Sequence, residues 1–142
     1  MTIKHWLNNS GNERYFVEQL NNPKESTKYI FEILKKKKLN NLNTLDLACG
    51  NGANLMFLKK QFKNEKYCLG LDLNKNLLKQ GSKFNNFNDL ELKYGNVFNL
   101  SKKLKNKFQL ITSFQTLSWY KDYQKASIEM INLNSKYIFI SS

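Results

Sequence analysis

The sequence predicts an α/β fold, a parallel β-sheet covered by helices on both faces, and three features predict it. Short apolar runs alternate with helix-compatible segments from about residue 43 onward. Several of these runs are near-continuously apolar, as strands buried on both faces must be. The first run carries an acid and enters a glycine turn, Thr44-Leu-Asp-Leu-Ala-Cys-Gly-Asn-Gly52, after which a helix-compatible segment begins. A second apolar run, ending in Asp72, completes a strand–glycine loop–helix–strand unit.

The elements follow in order. Residues 1–22 mix aromatics (Trp6, Tyr15, Phe16) with polar groups and read as an amino-terminal lead, while residues 23–142 read as the folded domain. Asn22-Pro23-Lys24-Glu25 predicts a helix start: asparagine can cap, proline suits the first helical position, and glutamate favours the first turn. Tyr29, Ile30, Ile33 and Leu34 repeat at helical spacing, so this helix buries one face, and Lys35 to Lys38 complement the dipole at its carboxyl end. Strand one is predicted at Asn43–Ala48, then a helix at Ala53–Phe62 burying Leu55, Leu58 and Phe62. Strand two follows at Lys66–Leu71, and a helix opened by a capping asparagine at Asn74–Ser82. Strand three is placed at Leu90–Tyr94, strand four at Phe108–Phe114, a helix at Asp122–Ile131 and strand five at Tyr137–Ser141. The chain stops as strand five finishes, which would leave a β-branched and aromatic strand at an open edge. Edges of that kind are normally covered, so the chain is expected to be a piece of a longer protein.

Composition bounds the function. A chain of 142 residues has room for one domain with a single core, and 41% hydrophobic residues with one proline describe a folded chain. No apolar run approaches the ~20 residues a membrane helix needs, and the amino terminus lacks the apolar core of a signal peptide. Cys49 and Cys68 fall in or beside strands, as reduced, packed thiols do. A cytoplasmic protein without a membrane partner is expected. His5 is the only histidine, so no histidine-based metal site is expected. The net charge of +12 could recruit nucleic acid or acidic substrates. The excess is nearly all lysine, however, with Arg14 the only arginine, and the arginine forks that recognise phosphate and guanine are lacking. Nucleic acid is a disfavoured partner.

The glycine turn discriminates between cofactors. In the dinucleotide fingerprint G-x-G-x-x-G/A, the third small residue lets the helix pack closely. Gly50-Asn-Gly52-Ala-Asn-Leu55 puts leucine in that place, and Asp46 stands ahead of the first glycine, where a pyrophosphate would be repelled. A ligand with a cationic head and no phosphate fits better, and S-adenosylmethionine is such a ligand. Backbone amides at Gly50–Gly52 and the helix start can face its carboxylate, while Asp46 favours its cationic end. Taken singly, the same residues read as ordinary structure: the glycines as a tight turn, Asp72 as a helix cap, Asn96 as a turn residue. Their coincidence is what points to a cofactor. Cys49, inside the glycine motif, reads as a small packed residue and not as a nucleophile.

Together these motifs resemble the class I S-adenosylmethionine-dependent methyltransferases. Asp46-Leu-Ala48-Cys-Gly50-Asn-Gly52 is similar to the first motif of that family, and Leu71-Asp72-Leu73 to the second, whose acid binds both ribose hydroxyls. Tyr94-Gly-Asn96-Val97-Phe98 resembles the third, where the family commonly has Gly-Asp and binds the adenine amino group. Phe108 to Trp119 resembles the fourth strand and the loop beneath the transferred methyl. The resemblance covers about residues 25–142. It implies a Rossmann-like, doubly wound sheet of five parallel strands in the order 3-2-1-4-5, without the family's usual carboxyl-terminal antiparallel pair. It also implies S-adenosylmethionine as cofactor, held by Asp46, Ala48, Gly50, Gly52, Asp72, Leu73, Asn96, Val97 and Ser113. Asn96 departs from the usual aspartate; an amide oxygen can still accept from the adenine amine, without charge assistance.

Methyl transfer from a sulfonium is an in-line displacement, for which the protein aligns a nucleophile and desolvates the site. No catalytic base stands out. Ser113, Gln115, Thr116 and Ser118 could position an acceptor, Asp122 is a remoter base candidate, and Gln115, Trp119 and Tyr15 are the substrate candidates. The strand-four loop lacks the Asn/Asp-Pro-Pro-aromatic signature of enzymes that methylate planar amino groups, and no Pro-Cys pair follows, as cytosine-C5 enzymes require. What remains is a small-molecule methyltransferase acting on oxygen or nitrogen, sugar hydroxyls included. The alternatives are an RNA or protein methyltransferase, which a basic face beside the cofactor mouth would favour, and a non-catalytic module that keeps the fold.

Overall fold

A computed structural model describes residues 13–116 and 120–141. Five strands, β1 (Thr44–Leu47), β2 (Cys68–Asp72), β3 (Leu90–Tyr94), β4 (Leu110–Ser113) and β5 (Tyr137–Ile140), pair in parallel in the order β3-β2-β1-β4-β5. This is the expected order. Helices α1 (Glu13–Asn21), α2 (Glu25–Lys36), α3 (Ala53–Phe62), α4 (Lys75–Phe84) and α5 (Tyr123–Asn132) flank the sheet. In the central register, Asp46 lies between Gly70 of β2 and Thr112 of β4.

Side chains of successive strand residues point to opposite faces, and both faces are filled. Leu45, Leu47, Leu69, Leu71 and Ile111 pack with Ala126 and Met130 of α5. On the other face Cys68, Leu90 and Leu110 join residues of α2 and α3. There the rings of Phe57, Phe62 and Phe114 all lie within 5.7 Å of Phe31, centre to centre. Phe16 of α1 is fully buried, its ring 5.0 Å from Phe84, so the amino-terminal lead contributes to this core.

The elements depart from expectation in three places. The second helix begins at Glu25, with Lys24 and not Asn22 in the capping position. Asn22 instead closes α1, its backbone N donating to the Glu18 carbonyl at 2.8 Å. The face it buries is Thr27, Ile30, Phe31 and Leu34, whereas Tyr29 is 70% exposed. Ala48 leaves β1 because its φ of 56° is left-handed, and β2 begins two residues later than expected and ends one later, on Asp72 itself. No helix among the described residues is long and apolar enough to cross a membrane.

Candidate functional site

The carboxyl ends of β1 to β4 converge on one turn. Between β1 and α3 the backbone enters the left-handed region at Ala48, Gly50 and Gly52 (φ 56°, 60° and 77°). Glycine takes that geometry without the strain a side chain brings, and alanine at 48 carries it. The turn is pressed onto the sheet and α4. A Cβ on Gly70 would lie 2.7 Å from the Cys49 sulfur, and one on Gly81 would lie 1.9 Å from the Asn51 carbonyl oxygen. Neither glycine was singled out in the sequence, although a glycine inside a helix and one inside a strand both signal close backbone approach. The turn's own amides are engaged: Gly50 N donates to Asp72 Oδ2 (2.7 Å), Gly52 N to the Cys49 carbonyl (3.0 Å) and Ala53 N to Asn51 Oδ1 (3.3 Å).

Two acids flank the turn. Asp46 is 1% exposed and accepts from Thr112 Oγ1 at 2.8 Å. Burial pushes its pKa up to about 7, the Thr112 bond opposes the rise, and the charge of Asp72 adds to it. Asp72 accepts from Gly50 N on one oxygen and from Asn74 N, also at 2.7 Å, on the other. Asn74 in turn caps α4, accepting from Asn76 N and Leu77 N, as expected. Asp72 thus ties the glycine turn to the head of the next helix. Burial, followed by the charges of Asp46 and Asp72, raises the Cys49 thiol well above its ordinary range, so it stays protonated and unreactive.

The other candidates lie around this pair. Leu73 is half exposed beside Asp72. Asn96, in the loop after β3, accepts from Phe98 N at 2.9 Å through its side-chain oxygen, a turn-forming bond, and Val97 beside it is buried. Ser113 is fully buried, donating to the Leu47 carbonyl (3.0 Å) and meeting both Thr116 Oγ1 and Tyr120 OH (3.0 Å to the latter). Tyr120, which sequence reasoning missed, packs edge-on against Phe98 at 5.6 Å and joins the loops after β3 and β4. Gln115 is held at its side chain by Lys24 Nζ (2.7 Å) and Ser26 Oγ (2.8 Å) at the start of α2. Asp122 caps α5, accepting from Lys125 N at 2.9 Å. Trp6, Ser118, Trp119 and the side chain of Tyr15 lie outside the described residues. Among the described residues no group of three or more histidine, cysteine or acid side chains could hold a metal ion.

The arrangement suits a ligand of particular chemistry. Two carboxylates facing one turn favour a cation and hydroxyl donors over a phosphate. Leu55, in the place of the third small residue of a dinucleotide loop, is buried in the core at 1% exposure.

A family profile described as a methyltransferase domain matches residues 38–142. No curated protein sequence matches the chain. Among solved structures, a Galdieria sulphuraria protein assigned as a sarcosine dimethylglycine methyltransferase superposes with a TM-score of 0.68 at 19% identity, over 75% of this chain and 40% of that one. The methyltransferase domain of bacterial CtHen1 gives a TM-score of 0.68 at 16% identity, over 82% and 63%. A Methanococcus maripaludis protein assigned as an S-adenosylmethionine-dependent methyltransferase gives 0.64 at 19%, over 92% and 64%. At these identities the likeness is one of fold, and the chain spans 40% to 64% of the length of those structures. The profile covers well over half of the sequence, and the chain belongs to the methyltransferase-domain family, with the class I Rossmann-like fold.

Proposed function

We propose that this chain holds S-adenosylmethionine at the carboxyl ends of β1, β2 and β3, as the cofactor half of an enzyme that methylates a small-molecule acceptor at oxygen or nitrogen, a sugar hydroxyl included. The observation that carries this reading is the buried Asp46 of β1, with Asp72 ending the neighbouring β2 and holding the left-handed glycine turn. A buried carboxylate with one side-chain partner gains most from a cationic ligand, which would hold it ionised.

The residues present fit the cofactor. Each Asp72 oxygen accepts one backbone amide and keeps a further lone pair, which would take the ribose hydroxyls. Asn96 would offer the second lone pair of its amide oxygen to the adenine amine, with Leu73 and Val97 beside the ring. Ala48, Gly50 and Gly52 would let the ligand approach the turn closely. The amides of Gly50 and Gly52 already have partners, so the two acids carry more of the recognition than the backbone does. When bound, S-adenosylmethionine supplies a methyl group on a sulfonium, already activated for displacement. The chain binds, orients and excludes water, with Ser113 shaping the floor of the site and Gln115 on the acceptor side.

Calorimetric titration with S-adenosylmethionine, S-adenosylhomocysteine and NAD tests the reading. The first two are expected to bind at micromolar concentration and NAD not at all. Asp72→Ala removes two ribose hydrogen bonds, each charge-assisted at about 1.5–3 kcal/mol, so affinity falls at least tenfold in a variant whose melting confirms the fold. Unchanged affinity in that folded variant defeats the assignment.

A further inference from the structure

Exposed lysines occur over the whole described surface of this protein and are dense at one end of the sheet. The register sets residues 66–67, 107–109 and 136 at one end of the sheet, the amino ends of the strands, opposite the glycine turn. The carboxyl ends of α2, α3 and α4 close at the same end, where the Asn40 side chain bonds Phe62 and the Asn85 side chain bonds Leu90. Every connection there carries exposed lysine: Lys37 after α2, Lys66 before β2, Lys83 closing α4, Lys105 and Lys107 before β4, and Lys136 before β5. None of these six is in an ion pair among the described residues. The acids at this end are Glu65, Asp89 and Glu91; Asp89 is committed to the buried Lys59 at 2.8 Å, and Glu91 to Lys93 and the Tyr67 hydroxyl.

Helix dipoles account for part of this pattern, since cations suit the last turn of a helix. They do not account for Lys66, Lys105, Lys107 and Lys136, which lie outside the α-helices. From these observations we infer that the amino-end face of the sheet is a docking surface for the phosphate backbone of a nucleic acid strand, about 15 Å from the cofactor end by strand length. Unpaired lysines concentrated on one face are the electrostatic footprint of a polyanion partner. The single arginine of the chain, Arg14, is on α1, so the face reads charge and not base sequence. A membrane is the weaker fit: stable anchoring needs an apolar anchor besides charge. Among the described residues the large apolar side chains exposed at the lysine face are Tyr67, before β2, and Ile131, in the last turn of α5, two side chains on separate elements; Leu73 lies at the cofactor end, and Ile128 and Ile138 on α5 and β5. The surface is remote from the glycine turn, so it tethers the protein and does not present the methyl acceptor. The inference does not depend on the cofactor reading.

Fluorescence anisotropy of a labelled 20-nucleotide oligo(U) RNA, at 50 and 200 mM salt, tests it. The chain is expected to bind at micromolar concentration in low salt and at least tenfold more weakly in high salt. Lys37→Glu, Lys66→Glu, Lys105→Glu and Lys107→Glu together should lower low-salt affinity at least tenfold and flatten the salt dependence. Lys75→Glu, Lys79→Glu, Lys121→Glu and Lys125→Glu change net charge equally near the other end and should cost less than threefold. Equal losses from the two sets would overturn the inference, since affinity would then follow net charge alone. Tight binding to phosphatidylserine vesicles without binding to the RNA would overturn it as well, by making the face a membrane surface.

Discussion

The two ends of the same sheet are built on opposite plans. At the amino ends of the strands, asparagine side chains satisfy the backbone. Asn64 donates to the carbonyls of Asn40 and Leu42 (3.0 Å each) and accepts from Lys66 N, while Asn40 donates to Phe62 O at 2.9 Å. Lys59, 4% exposed, reaches the Asn64 and Lys66 carbonyls and pairs with Asp89. At the carboxyl ends, glycine and left-handed backbone do the turning, and two carboxylates stand on neighbouring strands, the charge of Asp72 raising the pKa of the buried Asp46. Satisfied polar groups rigidify one end; strain and an under-compensated charge are kept at the other, where a ligand can relieve them. Stability and binding should therefore be separable by position.

The largest effects should come from paired substitutions, one at each end. Gly81→Ala puts a methyl group against the Asn51 carbonyl, and the neighbour is backbone, which cannot swing aside. Alanine normally stabilises a helix interior; here it is expected to cost more than about 3 kcal/mol and to abolish cofactor binding, because α4 must lift off the glycine turn. Asn64→Ala strands the Asn40 carbonyl and the Lys66 amide at the other end, while the Leu42 carbonyl keeps Thr44 Oγ1, costing about 2–3 kcal/mol. Thermal melts and S-adenosylhomocysteine titration below the melting temperature separate them. Asn64→Ala should keep the affinity it starts with, and a large loss there would show that the two ends are coupled.

How far the sequence discloses this division depends on what each end is made of. The binding end rests on short motifs with fixed spacing, so Asp46, the glycines and Asp72 are visible in one dimension. The parallel sheet is equally visible, because apolar runs between helices leave no other way to bury them. What escapes is pairing between remote segments. Nothing local announces that Thr112 bonds Asp46, or that Gly81 seats Asn51, or that Tyr120 reaches Ser113. The abundant asparagines read as composition in the sequence and become structural ties only once the chain ends of α3 and the turn before β1 are brought together. The helix start at Asn22 failed because Asn22 closes α1, a helix that the mixed amino-terminal lead did not announce.

Asp46 should make stability at the binding end depend on pH, in a direction opposite to most acids. Its folded pKa, about 7, lies above the value of 3.8 it has unburied. Above pH 4 the unfolded chain releases this proton while the folded chain keeps it. The contribution is thus fully present in acid and lost as pH rises toward 7, with about 2 kcal/mol of that loss between pH 5 and 7. Asp46→Asn should flatten the dependence and raise the melting temperature at pH 8. The ionised carboxylate attracts a cation, so S-adenosylmethionine affinity in the parent chain should rise from pH 6 to 8 with proton release, and the asparagine variant should show neither. A stability curve of unchanged slope in Asp46→Asn would show that other groups set it.

The smallest expected effect concerns Tyr120, and its size follows from the direction of the hydrogen bonds. The Leu47 carbonyl can only accept, so the single proton of the Ser113 hydroxyl is spent on it. Both Thr116 and Tyr120 must then donate to Ser113 Oγ. Burial raises the Tyr120 phenol above its usual pKa, which keeps that proton in place. Tyr120→Phe accordingly removes one donor and leaves every other partner satisfied, costing about 1 kcal/mol and changing S-adenosylhomocysteine affinity by less than threefold. Ser113→Ala leaves the Leu47 carbonyl and two hydroxyls without their partner and should cost more. If the tyrosine variant is the more damaged of the two, Tyr120 accepts where it is here made to donate, and the floor of the binding end is wired the other way round.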